Sequence, residues 1–130
     1  MTRLRPIVGI VAALILVLSS VAHSLVGWRA MHAQLAGTTA PPSLIAGLGM
    51  GWHFGGAAML ALGIILLHVF IGRQQRVPRS RFTAQVVAVL YLAFGAYAYL
   101  PTHDGFFLAA FMVPGVLLAI ASFGPDEVVG

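Results

Sequence analysis

The chain has 130 residues, of which 60% are hydrophobic and only 8% are charged. A water-soluble domain carries about a quarter of charged residues, and a disordered chain has far fewer apolar residues than are present here. Cysteine is absent, which excludes disulfides, iron–sulfur clusters and thiolate zinc sites. The composition therefore predicts a single domain, residues 1–130, whose solvent is the lipid bilayer.

Four apolar segments reach or approach the roughly 20 residues that an α-helix needs to cross a bilayer. Proline and serine mark their boundaries, because proline is tolerated at a helix start and ends a helix elsewhere. Pro41, Pro42 and Ser43 precede the second segment, Pro78 separates the second from the third, and Pro101 ends the third. We predict an all-α fold, a four-helix transmembrane bundle with short loops. Its spans are residues 7–27, 44–71, 82–100 and 105–123, with an outer loop over residues 28–43.

The first segment also has features of a signal peptide. Arg3 and Arg5 precede an apolar run, and Ser20-Val21-Ala22 fits a cleavage site. The apolar run continues beyond Ala22, which favours a transmembrane span over a cleaved leader.

The arginines predict the orientation of the bundle, because cytoplasmic loops carry an excess of basic residues. Six of the seven lie on one side of the four spans, and only Arg29 lies on the other. Both termini are then cytoplasmic, and Trp28 and Trp52 lie near the outer interface, where aromatic belts form. Since the basic residues flank apolar segments, we expect no nucleic-acid partner. Arginine as the sole basic side chain, with abundant Ala, Gly and Val, is typical of GC-rich bacteria and predicts the bacterial inner membrane.

Three histidines gather toward the outer face. His23 and His53 lie about one turn inside spans one and two, and His103 is in the loop between spans three and four. The residues three and four positions from His23 and His53 are mostly small, which suits a flat macrocycle lying against a helix. Histidine is the usual axial ligand of haem iron. The pattern predicts a site for haem b or another tetrapyrrole, with His23, His53 and His103 as the candidate ligands.

A bound metal ion is the alternative. His23, His53, His103 and Asp104 together would offer three imidazoles and a carboxylate to zinc, copper or iron. The spacing gives this alternative no support, because no pair of histidines stands four residues apart. A carboxylate-bridged di-iron centre is excluded, because the two remaining acids, Asp126 and Glu127, belong to a tail predicted to be solvated.

A purely structural role for the histidines is equally open. Gly47, Gly51 and Gly55 form a series of small residues four apart, extended on neighbouring faces by Gly49, Gly56 and Gly63. Such series let helices approach closely in lipid, where a histidine then bonds a serine or a carbonyl. Under the same reasoning His32 is a solvated loop residue and His68 reaches the interface beside the arginine loop.

A chain with so little mass outside the bilayer has few ways to act alone. The sequence therefore predicts an accessory or structural subunit of a larger membrane complex, respiratory or photosynthetic, that packs against other membrane subunits through its small-residue faces. A tetrapyrrole held by the outer histidines is compatible with that role. The alternative is a membrane enzyme with a histidine-bound metal ion at the outer face.

Overall fold

A computed structural model describes residues 4–77 and 79–124, and within those ranges every regular element is a helix. Arg3, Pro78, Asp126 and Glu127 lie outside the described residues, so the predictions made for them are not addressed. The elements, in chain order, are α1 (Leu4–Ala22), a π-helical segment (His23–Gly27), α2 (Trp28–Leu35), α3 (Pro42–Gln74), α4 (Phe82–Thr102) and α5 (Gly105–Ser122).

The prediction of four long apolar helices is confirmed. Four helical stretches are long and apolar enough to cross a membrane: Leu4–Leu35, Pro42–Gln74, Phe82–Thr102 and Gly105–Ser122. The first is α1, the π segment and α2 run together, so it continues through residues 28–35, which the sequence placed in a loop. The connection to α3 is confined to residues 36–41, and His32 lies on a helix rather than in a loop.

The helix α1 is at the centre of the arrangement. It packs against α3 on one side and α5 on the other, and α5 in turn packs against α4. Within the described ranges, α3 shares no comparable contact with α4 or α5. The bundle is therefore an open row, α3–α1–α5–α4, in which α3 is held by one neighbour.

The buried apolar side chains gather at one end of this row. They come from the middle of α1, the second half of α3, the first half of α4 and the second half of α5. The largest fully buried ones are Phe70, Leu16, Leu66 and Leu118. We call this the arginine end, because Arg5 near the start of α1, Arg73 near the end of α3 and Arg81 just before α4 all lie there. The opposite end, which carries His23, His53 and His103, is the histidine end.

A series of residues seven apart joins α3 to the continuous helical stretch formed by α1, the π segment and α2. Gly49, Gly56, Gly63 and Phe70 follow one face of α3, and all four are buried. A Cβ on Gly49 would lie 2.8 Å from Trp28, and one on Gly63 would lie 2.7 Å from Val17 and 3.1 Å from its backbone nitrogen. At the arginine end the glycine is on α1 and the large side chain is on α3, because Phe70 packs on Gly9. A seven-residue period keeps one face of a helix against a partner along its length.

The carboxyl end of α3 has an unusual residue at its left-handed position. The Val77 N–H donates to the Gly72 carbonyl at 2.8 Å and the Arg76 N–H to the Arg73 carbonyl at 3.1 Å, which is the bonding of a Schellman motif. Arg76 has φ of 61°, where glycine is strongly preferred. An arginine there costs on the order of 1 kcal/mol relative to glycine.

Candidate functional site: an aromatic cluster at the histidine end

The π-helical segment sets the direction of the first helix at this end. The Trp28 N–H donates to the His23 carbonyl, five residues back, where an α-helix would bond four residues back. This turn contains one residue more than an α-helical turn, so the side chains after it are rotated relative to an uninterrupted helix. In this orientation the Trp28 indole lies directly on Gly49 of α3.

His23 and Trp52 form a reciprocal pair between the π segment and α3. The Trp52 indole Nε1 donates to the His23 carbonyl at 2.7 Å, and the His23 Nε2 donates to the Trp52 carbonyl at 3.2 Å. The two rings are stacked, with centroids 4.4 Å apart and planes 2° from parallel. Because a carbonyl only accepts, His23 carries its proton on Nε2 in this arrangement. The ring of His23 is thus engaged in holding two helices together.

Trp28 links this pair to two further histidines. Its ring centroid lies 6.4 Å from that of Trp52, 5.7 Å from that of His53 and 5.6 Å from that of His32. We refer to His23, Trp28, His32, Trp52 and His53 as the aromatic cluster. Trp52 and Trp28 lie between His23 and His53 in this cluster, whereas the ring of His103 contacts Tyr99 instead.

His53 differs from His23 in its bonding. It is exposed, and its contact in the cluster is the edge of Trp28, at an interplanar angle of 60°. Among the described residues no hydrogen bond of the His53 ring accompanies that contact. The His53 imidazole therefore keeps both nitrogens available, whereas His23 commits Nε2 to the backbone.

The small patch predicted around His53 is partly filled by the protein itself. A Cβ on Gly56 would collide with the Ser24 hydroxyl, and Gly49 lies under Trp28. Of the four residues three and four positions from His53, Met50 and Ala57 stay exposed, whereas Gly49 and Gly56 are buried. The surface left beside His53 is an open groove of about 320 Å³ lined by Ser20, Val21, Ser24, Leu25, His53, Gly56, Ala57 and Leu60.

The structure places His103 and Asp104 in the tight turn between α4 and α5, where both residues cap helices. His103 has φ of 50°, its N–H donates to the Tyr99 carbonyl at 2.7 Å, and its ring meets the Tyr99 ring edge-on. The Asp104 carboxylate accepts from the Phe106 N–H at 2.8 Å. Asp104 is thus the N-cap of α5, and His103 is the left-handed residue that ends α4.

The predicted metal ligands are not brought together. In residues 4–77 and 79–124 no group of three or more His, Asp or Glu side chains is placed to hold a metal ion. His103 has Tyr99 as its ring partner, while His23 and His53 belong to the aromatic cluster. Among the described residues, His53 and His68 are the imidazoles of the long apolar helix α3 that make no hydrogen bond, and of these two His53 lies at the histidine end.

A second groove lies along the face of α3 that carries Gly47 and Gly51. It has a volume of about 510 Å³ and is lined by His23, Ser43, Leu44, Gly47, Leu48, Gly51 and Trp52. In the described part of the chain, no heavy atom lies within 4 Å of a Cβ placed on Gly47 or Gly51. A Cβ on Gly55 would lie 3.5 Å from the His23 Nε2. We call this feature the Gly47 groove.

The sequence reading missed the structural roles of both tryptophans, which it placed only at the membrane interface. One signal was present, since tryptophan in an apolar helix usually finds a hydrogen-bond acceptor for its N–H. Comparisons with protein-family models, with curated proteins and with solved structures each found no match. The function is therefore inferred from the two grooves and the aromatic cluster.

Proposed function

We propose that this protein is an accessory or structural subunit of a larger complex in a bacterial inner membrane, respiratory or photosynthetic. Its four apolar helices span the bilayer, and the arginine end faces the cytoplasm, so that both termini are cytoplasmic. The distribution of arginines supports this orientation, because six of seven precede or follow spans at that end. Its partners are the lipid and another membrane subunit.

The observation that carries the proposal is the open Gly47 groove. Gly47 and Gly51 have no neighbour within 4 Å of a Cβ position in the described structure, and Leu44 and Leu48 beside them are 52% and 45% exposed. Small residues at helical spacing allow another helix to approach closely, and van der Waals contact drives association in lipid. The occupant we propose is a transmembrane helix of a partner subunit.

The position of α3 in the row supports the same conclusion. The helix has 33 residues, yet α1, the π segment and α2 are its only extended contacts among the described residues. Its seven-residue series already packs on α2, the π segment and α1 through Gly49, Gly56 and Gly63 respectively. The Gly47 face is a second small-residue surface that the bundle itself does not use.

Purification from native membranes in mild detergent tests this proposal. We expect the wild-type chain to copurify with a larger assembly, and Gly47→Leu to run as the isolated chain, because leucine fills the groove. Ala46→Leu is the matched control, since Ala46 is exposed at the same depth but turned about 100° around the helix. A wild-type protein that is isolated and monodisperse, or equal behaviour of both variants, would contradict docking through this groove.

The uncommitted His53 ring favours a second candidate function, the holding of a tetrapyrrole at the boundary with the partner. His53 is exposed, has no hydrogen-bond partner in the described residues and lines an open groove. A neutral imidazole is a common axial ligand of haem iron, and bundle surfaces and cores are frequent sites for it. The open groove beside His53 supports a site that a neighbouring subunit completes.

An absorption spectrum of the copurified assembly tests the role of His53. We expect a Soret band that His53→Ala reduces strongly and that His103→Ala leaves in place, because His103 lies in the α4–α5 turn. His32→Ala is the control within the aromatic cluster, since His32 is exposed on α2. A colourless assembly, or a band that survives His53→Ala, would exclude this role while leaving the subunit proposal intact.

A further inference from the structure

The arginine end has far more positive than negative charge. Five of the described arginines belong to it, whereas Asp104 lies at the histidine end and the other two acids, Asp126 and Glu127, follow Gly124 closely in sequence. Even if both acids pair with arginines, three positive charges remain. The excess is concentrated around the connection between α3 and α4.

Two of these arginines are used to hold helix ends together. The Arg81 Nη1 donates to the Gly124 carbonyl at 2.7 Å, which joins the start of α4 to the end of α5. The Arg5 guanidinium also packs against Gly124, because a Cβ added there would collide with it. Beside Arg5 and Arg81, which have this structural task, stand the exposed Arg76 and Arg79 and the half-buried Arg73.

Arg76 and Arg79 are both exposed. Arg76 occupies the left-handed position that ends α3, with φ of 61°, where glycine would be less strained. The stem of Arg79 packs beside Gly72, with its Cγ 3.0 Å from the position of a Cβ there. A residue other than glycine at such a position motivates the hypothesis that its side chain has a function there.

Apolar side chains border these charges. Phe82, Ile71 and Val77 are 69%, 44% and 41% exposed, and they flank the connection between α3 and α4 on both sides in sequence. A soluble anion would bring no apolar group to cover them. A phospholipid brings both a phosphate for the guanidinium groups and an acyl chain for the apolar side chains.

We propose that Arg73, Arg76 and Arg79 bind the headgroup phosphate of an anionic phospholipid, with Phe82, Ile71 and Val77 against its acyl chains. The proposal rests on the insertion of the four helices into a membrane, but it requires no partner subunit and no tetrapyrrole. It assigns to the arginines a ligand in addition to their effect on orientation.

The test uses the full chain, purified in a mild nonionic detergent and stripped of lipid. Native mass spectrometry then measures its binding of phosphatidylglycerol and of phosphatidylcholine with the same acyl chains. We expect tighter binding of phosphatidylglycerol, and about 25-fold weaker binding of it by the double variant Arg76→Gly/Arg79→Gln, about fivefold per arginine. Arg76→Gly suits the backbone at that position, so the loss is expected without loss of thermal stability.

Arg29→Gln is the matched control, because it removes one arginine from the histidine end and is expected to leave binding unchanged. Equal weakening by Arg29→Gln, equal binding of the two lipids, or full displacement by millimolar inorganic phosphate would overturn the proposal. Gly47→Leu is expected to bind phosphatidylglycerol as the wild type does. That variant separates a failure of lipid binding from a failure of subunit docking.

Discussion

Replacing Trp52 with alanine is expected to lower the free energy of unfolding by about 3 kcal/mol, near the lower end of the range for truncating a packed tryptophan. The variant loses three contacts at once. These are the hydrogen bond to the His23 carbonyl, the parallel stack on the His23 ring and the contact with Gly27, whose Cβ position lies 3.0 Å from the indole. All three join the π segment to α3, so their loss is expected to loosen the histidine end.

Unfolding of the purified protein in mixed micelles, followed by circular dichroism, measures this change. Phe54→Ala is the matched control, because Phe54 is an aromatic residue of the same helix that is 76% exposed. We expect it to change the free energy of unfolding by less than about 0.5 kcal/mol, as surface substitutions do. Trp52→Phe removes the hydrogen bond while keeping an aromatic ring, and we expect it to cost about 1 kcal/mol.

A double-mutant cycle with His23→Ala isolates the stack from the hydrogen bond. The acceptor for Trp52 is the backbone of His23, so that bond survives the substitution, whereas the ring contact does not. We expect a coupling energy of about 1 kcal/mol between His23→Ala and Trp52→Ala. Strictly additive losses, or a Trp52→Ala variant as stable as the wild type, would contradict the reciprocal pair.

Most of the helical content could be predicted because the apolar runs are long and their ends are marked. The predicted spans 44–71, 82–100 and 105–123 correspond to α3, α4 and α5 within three residues at each end. Proline and serine before α3 made its start readable. Length and hydropathy suffice to predict these helices, because a chain with so few charged residues is not expected to form a water-soluble fold.

The end of the first helix could not be read in the same way. The polar residues Arg29, His32 and Gln34 end the apolar run, but they do not end the helix, which continues to Leu35. A helix ends where glycine or proline interrupts it, and the first such residues after the apolar run are Gly37 and Pro41. Hydropathy predicts where an apolar segment ends, whereas the helix here continues past that point.

The partners of the candidate ligands depended on tertiary packing. His23 and Trp52 are 29 residues apart, and their pairing requires the π-helical turn, for which the sequence has no signal. The turn residues His103 and Asp104 were more accessible to prediction. Aspartate directly before Gly105 and an apolar run is a typical N-cap, and this pattern predicts the capping role of Asp104 better than it predicts metal binding.

The glycines of α3 show why a pattern can identify a packing surface without identifying its partner. The sequence contains one series four apart, Gly47, Gly51 and Gly55, and a second series seven apart. Both have helical spacing, so the sequence alone does not assign them to particular partners. In the structure the second series contacts the first helical stretch, with Trp28 of α2 opposite Gly49, Ser24 of the π segment opposite Gly56 and Val17 of α1 opposite Gly63. The helix-packing role predicted for Gly47 and Gly51 remains a prediction about another chain.

Gly63→Leu is the substitution expected to disturb this seam most. A Cβ at Gly63 would lie 3.1 Å from the Val17 backbone nitrogen and 3.3 Å from the Ala13 carbonyl oxygen, so α1 as a whole must shift. We expect a loss of about 3 kcal/mol in the free energy of unfolding, at the upper end for overpacking, and about 1 kcal/mol for Gly63→Ala. Unfolding in mixed micelles by circular dichroism measures both.

Gly51→Leu, on the open face of the same helix, is the control that decides which series holds the bundle together. No heavy atom of the described chain lies within 4 Å of a Cβ there, so the isolated protein is expected to keep or slightly raise its stability, because leucine favours helix over glycine. A large loss for Gly51→Leu with none for Gly63→Leu would assign the contact with α1 to the four-residue series. The opposite result leaves the Gly47 face open in the folded chain, which docking of a partner helix requires.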